Sequence, residues 1–270
     1  MQKQLSEIWV YPVKSLAGLR VKQAVVLEKG LTHDRRFMLV DSANRFITQR
    51  EHPELALFTT TIVNDQIHIT HSKTKKIITL HLQPQPTSEF AATIWNDTVT
   101  VTEVDTAVSK WFSEHLKFAC RLVYFPEKNS RPVDGAYALN NEQVSLADGY
   151  PFLIIGQASL DDLNSRLPEP VEMRRFRPNF VFTGGEPYEE DAWGKFSIGA
   201  VQFAGVKNCA RCVLTTVDPA TGVKGDEPLR TLSSYRRKNG KVYFGQNLVV
   251  QTPGIISEGD FINLSEGTTW

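Results

Sequence analysis

Two closely spaced cysteines carry the clearest chemical signal in the chain. Cys209 and Cys212 are separated by Ala210 and Arg211, and a β-branched run follows at residues 213–217. A thiolate sulfur can act as a nucleophile, as a redox group or as a soft metal ligand. The segment therefore predicts a redox pair, a metal site or two partly buried structural cysteines.

The first two possibilities each require partners that the local sequence does not supply. A redox pair of this spacing needs a helix N-terminus to lower the thiol pKa, whereas residues 213–217 favour a strand. A structural zinc site needs four ligands, and the remaining cysteine, Cys120, is far upstream. His68 and His71 fall on opposite faces of an alternating strand. We therefore expect a thiolate that holds a metal cofactor, with structural cysteines as the alternative.

Positive charge is concentrated in three short segments of a chain that has no net charge. These segments are residues 11–15 with Lys14 and Ser15, residues 33–37 with Arg35 and Arg36, and residues 173–179 with Arg174, Arg175, Arg177 and Asn179. Arginine forks suit phosphate and other planar anions, so the segments predict an anion site. Two alternatives stay open: a solvated basic edge, and a single-stranded nucleic-acid site that uses Phe176 between the arginines.

Asp148 is the carboxylate with the most suggestive position. It stands at a turn directly before the buried-type strand that begins at Pro151. It is a candidate proton donor, although an Asx-turn is the commoner role for such a residue. The glycine-rich nucleotide motifs, the nucleophile elbow and the HExxH zinc motif do not occur.

Composition limits the class of protein. The chain has 270 residues with 30 basic and 30 acidic side chains, so no overall field attracts nucleic acid or membranes. Three cysteines do not suggest a disulfide framework and are too few for an iron–sulfur cluster held by four cysteines. Neither a signal peptide nor an apolar span is evident. We expect a soluble, cytoplasmic protein without nucleic-acid or membrane partners.

Short strands must position these side chains. Apolar or alternating runs predict strands at residues 5–13, 20–28, 37–41, 57–63, 66–71, 98–104, 121–125, 151–155, 179–182, 201–204, 213–217 and 241–244. Helical spacing predicts helices near residues 108–116, with Asp105 as N-cap, and at 158–167 and 229–236. The polar stretch 126–134 is the best candidate boundary. The prediction is a β-rich α+β fold of two packed, barrel-like β domains, residues 1–125 and 126–270, with a few short helices.

Long ordered motifs resemble the MOSC family, named after the C-terminal domain of molybdenum cofactor sulfurases. Residues 208–222 and 227–236 are similar to its core, and residues 158–167 and 176–179 extend the likeness. Residues 11–15, 30–31 and 34–37 resemble the N-terminal β-barrel domain of that family. Within the family, the sequence particularly resembles the mitochondrial amidoxime-reducing component and its bacterial counterparts.

The resemblance implies roles for individual residues. Cys212 matches the molybdenum ligand, and Cys209 a neighbour that does not bind the metal. Asp148 matches an acidic residue near the metal and is the candidate for proton delivery, while Gly149 and Tyr150 replace an expected hydroxyl-bearing pair. The residues implied to hold the anionic pterin are Lys14, Ser15, Arg36, Arg177 and Asn179.

The implied function is reduction of N-hydroxylated small molecules to amines with the molybdenum cofactor. Electrons would come from a separate donor protein of the flavin-reductase or ferredoxin type. The alternative is a non-catalytic protein that carries the molybdenum cofactor or passes on sulfur, with Cys212 as the acceptor.

Overall fold

The computed structural model describes residues 2–85 and 88–265, and most of this chain is β-structure. The strands are β1 (Gln4–Val10), β2 (Leu19–Val21), β3 (Gln23–Leu27), β4 (Gly30–Leu31), β5 (Phe37–Val40), β6 (Phe58–Val63), β7 (Gln66–His71), β8 (Ile77–His81), β9 (Glu89–Ile94), β10 (Asp97–Glu103), β11 (Arg121–Tyr124), β12 (Phe152–Gly156), β13 (Phe180–Thr183), β14 (Lys195–Ile198), β15 (Val201–Arg211), β16 (Arg237–Lys238), β17 (Lys241–Thr252), β18 (Gly254–Ser257) and β19 (Ile262–Leu264). The α-helices are α1 (Thr106–Leu116), α2 (Gln157–Asn164) and α3 (Leu229–Tyr235), and 3₁₀ turns cover Pro53–Leu57, Met173–Phe176, Glu189–Ala192 and Val213–Thr216.

Four sheets organise these strands. The largest runs β19-β14-β15-β17-β12-β13-β1-β2, with β16 paired to β17, and within it only β12 and β13 are parallel. The smaller sheets are β5-β11-β10-β9, β18-β3-β4 and β6-β7-β8. The predicted β-rich α+β class is confirmed. Over the described ranges none of these sheets closes into a barrel.

Helix α1 begins and packs as its sequence predicts. The side chain of Asp105 accepts a hydrogen bond from the backbone N–H of Ala107 at 2.6 Å, which satisfies one of the free donors of the first turn. Val108, Phe112 and Leu116 are buried on one face, against β11 and the sheet of β6, β7 and β8. Helices α2 and α3 lie where predicted, although α2 ends at Asn164, three residues before the predicted end.

The strand predicted at residues 213–217 is wrong. The strand precedes the cysteine segment, as β15, and the chain then forms a 3₁₀ turn over Val213–Thr216. The Thr215 and Thr216 hydroxyls donate to the carbonyl oxygens of Cys212 and Val213, a local bond that stabilises the turn over an extended strand. Cys212 is thus the residue before a single short turn, which carries much less dipole than an α-helix.

The hydrophobic core lies on both faces of the largest sheet. One cluster includes Phe152, Phe180 and Phe203, all essentially inaccessible to solvent, and a second packs α2 and α3 on the opposite face. Strands β1 and β2 belong to this sheet although they precede residue 125. The division at 125/126 stays a prediction. Across residues 2–85 and 88–265, the helices are all too short or too polar to span a bilayer.

Candidate functional site

A polar cavity opens where β15 ends, beside the loops that follow β1 and precede β12. Its volume is about 150 Å³. It gathers most of the residues that the sequence singled out, although they are distant along the chain. The predicted site residues that line it are Lys14, Ser15, Asp148, Arg177, Asn179, Cys209 and Cys212.

The two cysteines differ in their surroundings. Both are partly exposed, and the sulfur of Cys212 accepts a hydrogen bond from Nε of Arg50 at 3.2 Å. Cys209 packs against the apolar cluster under α2 and α3, where burial raises the pKa of its thiol. Among the described residues, a guanidinium N–H is thus directed at the sulfur of Cys212, whereas the thiol of Cys209 lies in apolar surroundings.

Asp148 links two cations at the mouth of the cavity. Its carboxylate accepts from Nζ of Lys14 and from Nη2 of Arg50, both at 2.5 Å. Burial by itself raises the pKa of Asp148. The charges and hydrogen bonds of Lys14 and Arg50 outweigh this effect and hold the pKa well below its usual range. The predicted role of proton donor does not fit this arrangement, because the group is ionised at neutral pH.

Lys14 releases its proton more easily than an ordinary lysine does. Its side chain is buried, and its Nζ also donates to the carbonyl oxygen of Leu146 at 2.9 Å. Burial lowers the pKa of Lys14 to about 8, in spite of the opposing charge of Asp148. Near neutral pH Lys14 is therefore a cation able to donate a proton.

Arg35, Arg177 and Asn179 form a linked group on the far wall. The guanidinium carbons of Arg35 and Arg177 lie 4.2 and 4.4 Å from the ring centroid of Tyr11. Arg35 donates to the Asn179 side-chain oxygen at 3.1 Å and to the Arg177 carbonyl oxygen at 3.2 Å. Burial, followed by the charge of Arg35, lowers the pKa of Arg177 to about 10. Asp34 already pairs with Arg35 at 2.6 Å, so the charge of Arg177 is the one that favours an added anion here.

Arg36 is directed away from the cavity, which departs from the prediction. It is buried, and its guanidinium donates to the Glu127 carboxylate and to the carbonyl oxygen of Asp34. The preceding residue, Arg35, has φ of 49°, so the chain turns there and Arg35 is the one of the pair that faces the cavity.

Sequence reasoning missed three of the cavity's cations. In the sequence Arg35 is one member of a basic segment, and no pattern marks Arg50 or Arg211 as a site residue. Arg50 is 162 residues from Cys212 and lies in an irregular segment, so no local pattern indicates their contact. Arg211 is one of the two residues between the cysteines, and nothing else in the sequence indicates a role for it.

The donor set fits a polyanionic cofactor. Five cations line the cavity, Lys14, Arg35, Arg50, Arg177 and Arg211, whereas Asp148 is the single carboxylate among the lining residues. Nη2 of Arg211 is buried and has no hydrogen-bond partner among the described residues. An anionic ligand would satisfy that donor and the excess charge. In the described part of the chain, His, Cys, Asp and Glu side chains nowhere gather in threes around a potential metal position.

Comparison with known families agrees with this site. Residues 2–119 match the MOSC N-terminal β-barrel domain, and residues 141–263 match the MOSC domain. Mitochondrial amidoxime-reducing component 1 of Mus musculus is 34% identical over 278 residues, which cover 96% of this chain and 82% of that protein. The chain belongs to the MOSC family. The cavity lies between segments of both matched MOSC domains, with Lys14 and Arg50 from the first and Cys212 from the second.

Two further relatives extend the comparison. Mitochondrial amidoxime reducing component 2 of Rattus norvegicus is 35% identical over 275 residues, covering 95% of this MOSC protein and 81% of the relative. Molybdenum cofactor sulfurase of Solanum lycopersicum is 31% identical over 264 residues, covering 89% of this chain but 32% of that protein. The shared pair of MOSC domains thus occurs in relatives whose names refer to amidoxime reduction and to the molybdenum cofactor.

Proposed function

We propose that this protein is a molybdenum-cofactor-dependent reductase of N-hydroxylated compounds. The observation that carries the proposal is the partly exposed Cys212 sulfur, hydrogen-bonded by Arg50, at the rim of a cavity with five cations. The similarity to proteins named amidoxime-reducing components supports the reaction class.

Different residues would bind the pterin and the metal. Lys14, Arg177 and Arg35 would hold the anionic pterin and its phosphate, with Ser15 and Asn179 in the same wall. Cys212 would complete the metal coordination through its thiolate. Cys209, in its apolar surroundings, would remain protonated and uncoordinated.

The cofactor, when bound, supplies the two-electron chemistry that removes the hydroxyl oxygen of the substrate. The overall change is R–NH–OH + 2 e⁻ + 2 H⁺ → R–NH₂ + H₂O. Lys14 lines the cavity and would supply a proton, since burial lowers its pKa to about 8, while Asp148 orients Lys14 and Arg50 as an ionised acceptor. Asp148 thus keeps a place in the proposed catalytic site, with a role different from the one its sequence position indicated.

The electrons require a donor outside this chain. We assign the electrons to a separate flavin-reductase or ferredoxin-type protein, since the given sequence has three cysteines and a typical cluster takes four. The non-catalytic alternative, a carrier of cofactor or sulfur, would use the same cavity.

Single-turnover reduction separates these two functions. Protein loaded with molybdenum cofactor, reduced by a viologen dye and then separated from the dye should convert benzamidoxime to benzamidine, with up to one product formed per molybdenum. A carrier would bind the cofactor and give no product. Cys212→Ser should give neither bound molybdenum nor product, whereas Cys209→Ser should retain both.

A further inference from the structure

A strained tryptophan stands at the tip of the β9–β10 hairpin. Trp95 and Asn96 form the two-residue loop between Ile94 and Asp97, and Trp95 has φ of 56°. Left-handed positions of such loops favour glycine or asparagine, because a side chain there costs on the order of 1 kcal/mol. A bulky aromatic at this position indicates a use for its ring that outweighs the cost.

The ring lies against two side chains that line the cavity, Arg50 and Asp148. It is 45% exposed, although the guanidinium of Arg50 lies 4.6 Å from its centroid and the ring of Phe46 lies 5.1 Å away. Its indole N–H donates a long hydrogen bond, 3.4 Å, to Asp148. Trp95 therefore touches the Arg50 and Asp148 side chains that border Cys212, while much of its apolar surface is left open.

We propose that Trp95 is a specificity-determining residue that selects substrates whose N–OH-bearing group carries an aromatic ring. The exposed part of the indole offers a stacking surface next to Arg50 and Asp148, two side chains that line the same cavity as Cys212. Small aliphatic N-hydroxylated compounds cannot use this surface. The inference rests on the proposed function for the identity of the substrate.

We expect stacking on Trp95 to change substrate affinity by a modest factor. Aromatic pairs contribute an energy that corresponds to roughly a three- to tenfold change in affinity. Arg50, held by Asp148 and by Cys212, keeps the indole fixed, so the ring presents the same surface to each substrate.

The test compares two substrates in three variants of the cofactor-loaded protein. Calorimetry measures the Kd of benzamidoxime and of acetamidoxime, and turnover gives kcat and KM separately. Trp95→Asn removes the ring and puts a residue that tolerates the left-handed backbone in its place, while Trp95→Phe keeps a smaller ring. The control is Phe261→Asn, because Phe261 is a half-exposed aromatic on the edge of the large sheet. We expect Trp95→Asn to weaken benzamidoxime three- to tenfold and acetamidoxime less than twofold, without lowering the thermal midpoint. Trp95→Phe should lose less than Trp95→Asn, and the control should match the wild type.

Equal weakening of both compounds, or no change in either, would overturn the role of Trp95, as would absence of benzamidoxime binding to the wild type. Selective binding that depends on Trp95, without turnover by any variant, would support this inference and contradict the proposed reductase activity. Turnover of both compounds without any selectivity that depends on Trp95 would support the proposed reductase activity and contradict this inference.

Discussion

Nε of Arg50 lies 3.2 Å from Sγ of Cys212, with the N–H directed at the sulfur. The same guanidinium binds Asp148 through Nη2 and stacks on Trp95. A hydrogen bond to a ligating thiolate withdraws electron density from the sulfur and fixes its direction. Arg50 thereby connects the proposed metal ligand to Asp148 and Trp95.

Replacement of Arg50 should impair the site without unfolding the protein. We expect Arg50→Gln to lower molybdenum retention or turnover by roughly 10- to 100-fold, because outer contacts of metal ligands typically have effects of that size. Molybdenum content per chain and kcat measure the two outcomes. Arg45→Gln, on the exposed side of the same loop, serves as the control and should behave as the wild type. An Arg50 variant indistinguishable from the control would show that the contact with Cys212 has no function.

Cofactor uptake should depend on pH through Lys14. Burial lowers the pKa of this lysine to about 8 from its ordinary 10.5, so the charged form that attracts the anion is lost as the pH rises through 8. Between pH 7 and pH 9 the protonated fraction falls from about nine-tenths to about one-tenth, and uptake of molybdenum cofactor by the apoprotein should weaken by up to roughly tenfold. Lys14→Met should bind weakly at both values, while Lys110→Met, on the exposed face of α1, should keep the wild-type profile. An unchanged pH profile in Lys14→Met would refute this assignment.

A buried carboxyl away from the cavity should make stability depend on pH. Glu190 is fully buried and accepts hydrogen bonds from Gly156 N at 3.2 Å and Ser159 Oγ at 2.9 Å, at the start of α2. Burial raises the pKa of Glu190 to about 7 from its ordinary 4.5, so the folded state resists ionisation. The protein should lose stability as the pH rises from about 4.5 to 7, by on the order of 3 kcal/mol in total.

Glu190→Gln removes that ionisation. Relative to wild type, the variant should become more stable as the pH is raised from 4.5 to 8, measured as the free energy of unfolding in urea. Glu186→Gln, an exposed change in the same segment, should show no such trend. A stability difference between the wild type and Glu190→Gln that stays constant over this range would contradict the raised pKa of Glu190.

Local sequence patterns predicted elements where local forces decide the structure. The Asp105 cap and the spacing of Val108, Phe112 and Leu116 were sufficient for α1. The same reasoning failed at residues 213–217, where β-branched composition favoured a strand and the hydroxyls of Thr215 and Thr216 instead stabilise a 3₁₀ turn.

The site itself depended on contacts that cross the whole chain. Lys14 and Asp148 are 134 residues apart, and they were connected beforehand only through the resemblance to the MOSC family. That resemblance assigned Arg36, whereas the left-handed backbone at Arg35 turns Arg35 into the cavity. Arg50 had no signal at all, because its position beside Cys212 exists only after the two halves of the chain pack together.

Molybdenum content of purified protein tests the central claim most directly. Protein produced in a host that synthesises the cofactor should contain about one molybdenum per chain, as expected for a single thiolate-ligated site. Cys212→Ser should lose the metal, and Cys209→Ser should keep it. Cys212→Ser protein that retained both molybdenum and full N-reductase activity would contradict the account.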